Sequence, residues 1–333
     1  MEQRSHRIIE AEARARSSET ARRLRQAAGA GSPQGPAQGA RVTLESIVEA
    51  VRHLPALPSA VLQIMRMTND EGVSARDVAS VISTDQSLAA RILKLANSAY
   101  YGLPRAVGTV SDAVILLGMR TVRNMAIAAA THNTLSKEVA GYELGRGDLW
   151  RHSLACALAA QMLAEVAHYP EKEEAFVAGL LHDIGKVVLG VHVRDAIALI
   201  QQRVETENLT FLEAERAVLG FDHAEVGGRI AARWNLPAPL EQAIACHHQP
   251  MQNGQVAPLT ALVHIANILC LLAGVGLGAD GLHARLSDCA LETLGLNAQD
   301  IERVLARLVH RIAQAQPLFS AEALLDAPSA GKG

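Results

Sequence analysis

An all-α protein is predicted from three features of the 333-residue chain. Apolar residues recur at the i, i+3, i+4 spacing of a helix face in segment after segment. No run of β-branched and aromatic residues alternates with polar ones between turn dipeptides, so strand signals are nearly absent. Pro and Gly mark most of the breaks, and the stretches between helices are short. No heptad runs long enough for a coiled coil, which leaves a compact multi-helix assembly.

The elements follow in order. Residues 1–28 carry seven Arg against four Glu, and 29–39 (GAGSPQGPAQG) has linker composition, so 1–40 is expected to be a solvated appendage. Helical patterning starts near Val42. Ser74 and Asp77 have the spacing of a capping box ahead of Val78, Val81 and Ile82. Asp85 is placed to cap the next helix, which turns Leu88, Ile92, Leu93 and Leu95 to a core and stops at Gly102-Leu103-Pro104. Ser111 is expected to cap a third helix carrying Val114, Ile115, Leu116 and Leu117. The bare backbone of Gly118 would let a neighbouring helix come close, and Met125 and Ile127 continue the apolar surface. Further helices are expected over 150–166, 173–182, 193–207, 210–219, 223–234, 239–247 and 259–272, with two or three more to about 316.

Composition excludes several classes. Lys+Arg is 31 against Asp+Glu 34, a net charge of −3, without the basic face of a protein that coats nucleic acid. Phe 4, Tyr 4 and Trp 2 are too few for base-stacking platforms, so no nucleic-acid partner is expected. Cys156, Cys246, Cys270 and Cys289 form no C-x-x-C pair and read as buried thiols of a reducing compartment. The N-terminus has no apolar h-region, and the expected location is cytoplasmic. Residues 256–279 are free of Asp, Glu, Lys and Arg, long enough to cross a bilayer. Pro258, His264, Asn267 and three glycines inside that stretch favour a buried soluble helix and a glycine-rich turn, with no membrane span.

Histidine is abundant, at 13 residues, and its placement points to a site. His182-Asp183 ends an apolar helix in Ala178-Gly-Leu-Leu-His-Asp-Ile-Gly-Lys186. Neighbours on a helix point about 100° apart, but at a terminus the backbone bends and both side chains can converge on one cation. His152 lies on the preceding helix, and His223 and His247-His248 follow on later ones. Imidazole with carboxylate suits first-row divalent ions such as Fe, Mn, Zn or Co. The candidate metal ligands are therefore His152, His182, Asp183, His223, His247 and His248. Lys186 is a candidate phosphate contact, or a side chain that meets a helix terminus. No catalytic residue is assigned. The bland alternative is a hydrogen-bonded cluster that pins several helices together.

The ordered set H…HD…H…HH resembles the HD superfamily of metal-dependent phosphohydrolases. Leu54-Pro-Ala-Leu-Pro58, Arg91-Ile-Leu-Lys-Leu-Ala-Asn-Ser-Ala-Tyr-Tyr-Gly102 and Asp112-Ala-Val-Ile-Leu-Leu-Gly118 are similar to the HDOD (HD-related output) domain. So are Phe221-Asp-His-Ala-Glu-Val-Gly227 and Trp234-Asn-Leu-Pro237. The resemblance covers about Leu44 to Pro250. It implies an HD-like all-α bundle of bacterial signalling proteins, with regulatory or scaffolding roles and signalling proteins as partners. On this division 1–40 is an appendage, 42–250 the HDOD-like domain, and 251–325 C-terminal helices that complete the core or form the surface of a homodimer.

Two departures from the catalytic relatives decide the functional expectation. Active HD hydrolases close the site with a later Asp, and the matching segment here, Leu262-Val-His-Ile-Ala-Asn-Ile268, has Asn267. With Asp183 as the only anion, two dications would be poorly neutralised. HD-GYP phosphodiesterases carry an acid and then Gly-Tyr-Pro after the His pair, and His247-His248-Gln249-Pro250 has neither. The expectation is a non-catalytic signalling module acting through protein–protein contacts, with at most one divalent ion, held through His152, His182 and Asp183. The alternative is a metal-dependent phosphohydrolase or phosphodiesterase.

Overall fold

A computed structural model describes residues 44–67, 72–276, 278–281, 285–315 and 318–319. The Arg-rich segment and linker, 1–40, lie outside the described residues. The described residues fold into α-helices with one hairpin of two-residue strands, Met251–Gln252 (β1) against Gln255–Val256 (β2), which the sequence pattern does not signal.

Six helices form the first layer: α1 (Leu44–His53), α2 (Ser59–Met67), α3 (Ala75–Ser83), α4 (Gln86–Ala96), α5 (Val110–Leu117) and α6 (Met119–Leu135). The capping box at Ser74 is formed, with Asp77 as its acid, and Asp85 caps α4 through the Leu88 amide. Two expectations need correction. Thr109, not Ser111, caps α5, because its side chain accepts from the Asp112 amide, two residues earlier than the pattern suggested. Gly118 admits no close neighbour. It sits at φ +86 with open space around it, and its role is to turn the chain from α5 into α6 in a conformation that side chains disfavour.

The second layer holds the site. It comprises α7 (Asp148–Val166), α8 (Lys172–Leu181), α9 (Gly185–Glu207), α10 (Phe211–Leu219), α11 (His223–Arg233), α12 (Ala238–Cys246) and α13 (Pro258–Leu272). Then α14 (Asp288–Leu294) packs on α13, and α15 (Ala298–Gln314) on α7. Helix α7 packs against α8 and α13, and nearly all its side chains are buried. A helix that is apolar all round is stable only as the interior of such a layer. Layers meet mainly where α6 packs on α8. Trp150 of α7 is fully buried and its indole N–H donates to the Leu318 carbonyl, 2.7 Å, tying down the C-terminal end of the described chain.

The uncharged stretch of 256–279 becomes α13, opened by Pro258 and buried along almost its whole length. At 15 residues α13 is a shorter apolar helix; among the described residues one run, Lys172–Glu207, is long and apolar enough to cross a membrane, and 83% of that window is buried. It is broken at 182–184, where the candidate site lies. Cys156 and Cys270 are buried as expected, whereas Cys246 and Cys289 are only half-buried.

Candidate metal centre

Helix α8 stops at Leu181, and His182, Asp183 and Ile184 form a tight turn into α9, which starts eight residues before the sequence pattern suggested. The turn is held by the Ile184 amide on the Leu181 carbonyl (3.0 Å) and the Lys186 amide on the Asp183 carbonyl (3.0 Å). Gly185 lets it press against the start of α11. A Cβ there would overlap the His223 carbonyl oxygen and come within 2.6 Å of the Gly227 amide. That contact sets His223 beside Asp183. His223 is the first residue of α11, whose N-cap, Asp222, accepts from the Glu225 amide at 2.8 Å. His247 and His248 follow α12 directly, and α7 supplies His152.

All six predicted residues meet around the Asp183 carboxylate. Its Oδ2 lies 3.3 Å from His182 Nε2 and 3.6 Å from His152 Nε2, and its Oδ1 lies 3.5 Å from His223 Nε2 and 3.6 Å from His247 Nε2. His248 Nε2 is 2.9 Å from His223 Nε2. Two overlapping groups result, His152–His182–Asp183 and Asp183–His223–His247–His248, each with ligand atoms within 4.8 Å of one another.

The outward nitrogens explain why the inward ones are ready to ligate. His182 Nδ1 donates to the Gly179 carbonyl (2.8 Å), His247 Nδ1 to Ile244 (2.8 Å) and His152 Nδ1 to Val275 (3.0 Å). His223 Nδ1 donates to the Glu215 carboxylate at 2.8 Å. A proton held on Nδ1 leaves Nε2 as a lone pair, the arrangement that metal-binding histidines share. His182 Nε2, His247 Nε2 and Asp183 Oδ1 are buried and make no hydrogen bond. Burying such atoms unpaired is costly, and a cation beside Asp183 Oδ1 would satisfy that oxygen and His247 Nε2. The donor set therefore fits a divalent ion.

Electrostatics agree. Burial lowers the His182 imidazole to about 4, against the pull of Asp183, and pushes His248 well below its ordinary value. Both are neutral donors at neutral pH. Burial opposes charge on His223 as well, but the Glu215 carboxylate carries its imidazole above the ordinary value. For Asp183 burial favours the acid, yet His182 and Lys186 hold the carboxyl well below the usual range.

Two groups in the enclosure escape the sequence reading, Glu215 and Asp280, and they correct its charge count. Glu215 is fully buried, accepts from the His223 amide (2.9 Å) and ring, and is hydrogen-bonded to the Tyr142 hydroxyl. Asp280 follows the glycine-rich turn after α13 and pairs with Lys186 Nζ at 2.5 Å. Asp183 is thus not the only anion. Lys186 stands at the start of α9, not at a helix C-terminus, buried between Asp183 Oδ2 (2.5 Å) and Asp280. The sequence does hold a signal for Glu215: it occupies the inward row of α10 between Phe211 and Leu219, where an apolar side chain is expected. Asn267 faces the enclosure from α13, with its Oδ1 3.0 Å from His152 Nε2.

The HDOD domain profile matches residues 54–250, more than half of the chain. The chain belongs to the HDOD family. An uncharacterized protein of Treponema pallidum is 28% identical over 225 residues, which is 67% of this chain and 43% of that relative, so the chain spans less than half of its length. A crystal structure of an HDOD domain protein of unknown function from Geobacter sulfurreducens superposes with a TM-score of 0.60 at 27% identity, covering 84% of this chain and 98% of that one. A Shewanella amazonensis SB2B structure, provisionally described as a phosphohydrolase, gives a TM-score of 0.56 at 27% identity, covering 79% and 98%. The Geobacter likeness extends past the 54–250 match into the C-terminal helices of this HDOD chain.

Proposed function

We propose that the protein is a non-catalytic bacterial regulatory module of the HDOD type. It acts in the cytoplasm through contacts with signalling proteins, and its buried enclosure holds a single divalent ion of the Fe, Mn, Zn or Co class. The observation that carries this reading is the closure of the donor set. His152, His182, Asp183, His223 and His247 are buried and His248 half-buried, with Asn267 against His152 where catalytic relatives place a carboxylate. Hydrolysis needs a coordination position open to water and a path for a phosphoester. The ligands come instead from α7, the α8–α9 turn, α11 and the end of α12, so an ion here ties separate elements together. Ile115 and Leu116, adjacent and exposed on α5, supply apolar surface for a partner.

Elemental analysis of chelator-free protein, combined with p-nitrophenyl phosphate and cyclic dinucleotide assays on wild type and His182→Ala, tests the reading. The expected result is bound metal with no turnover above the His182→Ala background. Robust wild-type turnover that vanishes in His182→Ala would establish the second reading, a metal-dependent phosphohydrolase. That alternative is favoured by the convergence of all six candidate ligands and by the provisional description of the Shewanella relative. When bound in such a centre, the ion supplies Lewis acidity toward a phosphoester.

A further inference from the structure

Asp183 divides the enclosure into two halves that differ in what already fills them. On the Oδ2 side, Lys186 Nζ sits 2.5 Å from the carboxylate oxygen, and His152 Nε2 is paired with the Asn267 amide at 3.0 Å. The ammonium is fixed from three directions: by Asp183, by Asp280 Oδ2 at 2.5 Å, and by the face of the Tyr142 ring 5.5 Å away. Only His182 Nε2 is left there without a hydrogen bond, and one imidazole does not retain a divalent ion. On the Oδ1 side, Asp183 Oδ1 and His247 Nε2 both lack hydrogen-bond partners, and His223 Nε2 and His248 Nε2 beside them, 2.9 Å apart, are paired only with each other.

We propose that the Lys186 ammonium takes the place of a second cation, so that the chain holds one divalent ion, in the Asp183 Oδ1 half with His223, His247 and His248. The proposal rests on the metal-holding part of the function proposed above. Charge supports it. Asp183, Glu215 and Asp280 against the Lys186 ammonium and one dication come to neutrality, whereas a second dication would leave an uncompensated excess in a buried space. Asp280 lies outside residues 54–250, so the clamp on Lys186 is completed by the C-terminal part of this chain.

The test is to count ions. Full-length protein is dialysed against Mn²⁺, the bound metal is quantified, and coupled Mn²⁺ pairs are sought by electron paramagnetic resonance. Wild type should bind one ion with no pair signal. Asn267→Asp alone should still bind one, because the ammonium remains in place. Asn267→Asp combined with Lys186→Gln adds a carboxylate and removes the ammonium, and should bind two with the pair signal. In the wild-type background His247→Ala should lose the ion and His152→Ala should keep it, a comparison that stands even if the double variant does not fold. Two ions in wild type or in Asn267→Asp, one ion in a folded double variant, or loss through His152 rather than His247 would each overturn the proposal. An ion-free wild type would overturn it together with metal binding, whereas turnover would overturn only the non-catalytic reading.

Discussion

Helices α1–α5 bury apolar side chains and, among the described residues, no polar or charged residue at all. The second layer, α7–α13, buries His152, His182, Asp183, Lys186, Glu215, His223, His247 and Asn267 within one connected space. Helices α3, α4 and α5 are short and two-faced, each fixed by its own cap and its own apolar stripe. A change there stays local. In the second layer each charge is tolerated only because another faces it, so removing one member leaves the rest unpaired.

The largest expected effect is therefore at the shared member. Asp183→Ala removes one of the two carboxylates that hold Lys186 and the centre that four imidazoles face. Breaking a buried pair from one side costs about 3–5 kcal/mol. Urea denaturation of wild type and variant measures it. A loss below about 1 kcal/mol would mean that the two layers do not differ as argued.

Acid should separate the layers next. His182 and His264 are both lowered to about 4, chiefly by burial, against about 6.5 in the unfolded chain, and His248 moves the same way. As pH falls below about 6.5 the unfolded chain takes up protons that the folded one refuses, so stability present above that pH is lost on the way to about 4. For one such histidine the whole effect is about 3 kcal/mol. His223 runs in the opposite sense: Glu215 holds its imidazole up, so its contribution is full in acid and fades as pH rises through the folded value. The described part of α1–α5 has one histidine, His53, and it is exposed. Hydrogen exchange in mild acid should thus show protection falling first in α7–α13. Equal loss in both layers would contradict the assignment.

The same contrast decides what the sequence shows by itself. Caps at Ser74 and Asp85 and the stripes of α3 and α4 are local facts, three or four residues apart, and they are legible. So is the ordered set of His and Asp, because each member sits at a helix end or on a helix whose neighbours in the chain are also neighbours in space. Asp280 is not legible as a site residue, and Glu215 shows only as an acid on an apolar helix row, with nothing to say what it meets. Glu215 reaches His223 across eight residues and Asp280 reaches Lys186 across 94, and only the folded chain brings them together. The early start of α9 has a similar origin: Gly185 weakens a helix by propensity, and the contact of its bare Cα with α11 outweighs that.

A smaller effect should come from one step outside the ligands. Glu215→Gln keeps the shape of the side chain but weakens its hold on His223 Nδ1, which fixes the tautomer and aims Nε2 inward. Mn²⁺ affinity should fall by about 10–100-fold, because orienting partners of metal ligands carry that much. Equilibrium dialysis reads it without any assay of turnover. Unchanged affinity would make Glu215 a packing partner of Tyr142 alone.

Ser74→Ala is the complementary change in the first layer. The Ser74 Oγ accepts from the Asp77 amide at 3.3 Å, and the Asp77 carboxylate accepts from the Ser74 amide at 2.9 Å and its hydroxyl at 2.6 Å. Losing such a cap costs about 1 kcal/mol. Because the box lies in exposed chain on α3, among the helices α1–α5 that bury no polar residue in their described part, that cost should be the same with Mn²⁺ or with chelator and should not change between pH 7.5 and pH 5. The variant thus serves as the inner control for Glu215→Gln, whose effect on the denaturation midpoint should grow when Mn²⁺ is added, since ligand binding stabilises only the state that binds. A Ser74→Ala cost that tracked metal would show that the first layer senses the enclosure through α6 and α8, and the two layers would then be one cooperative unit instead of two.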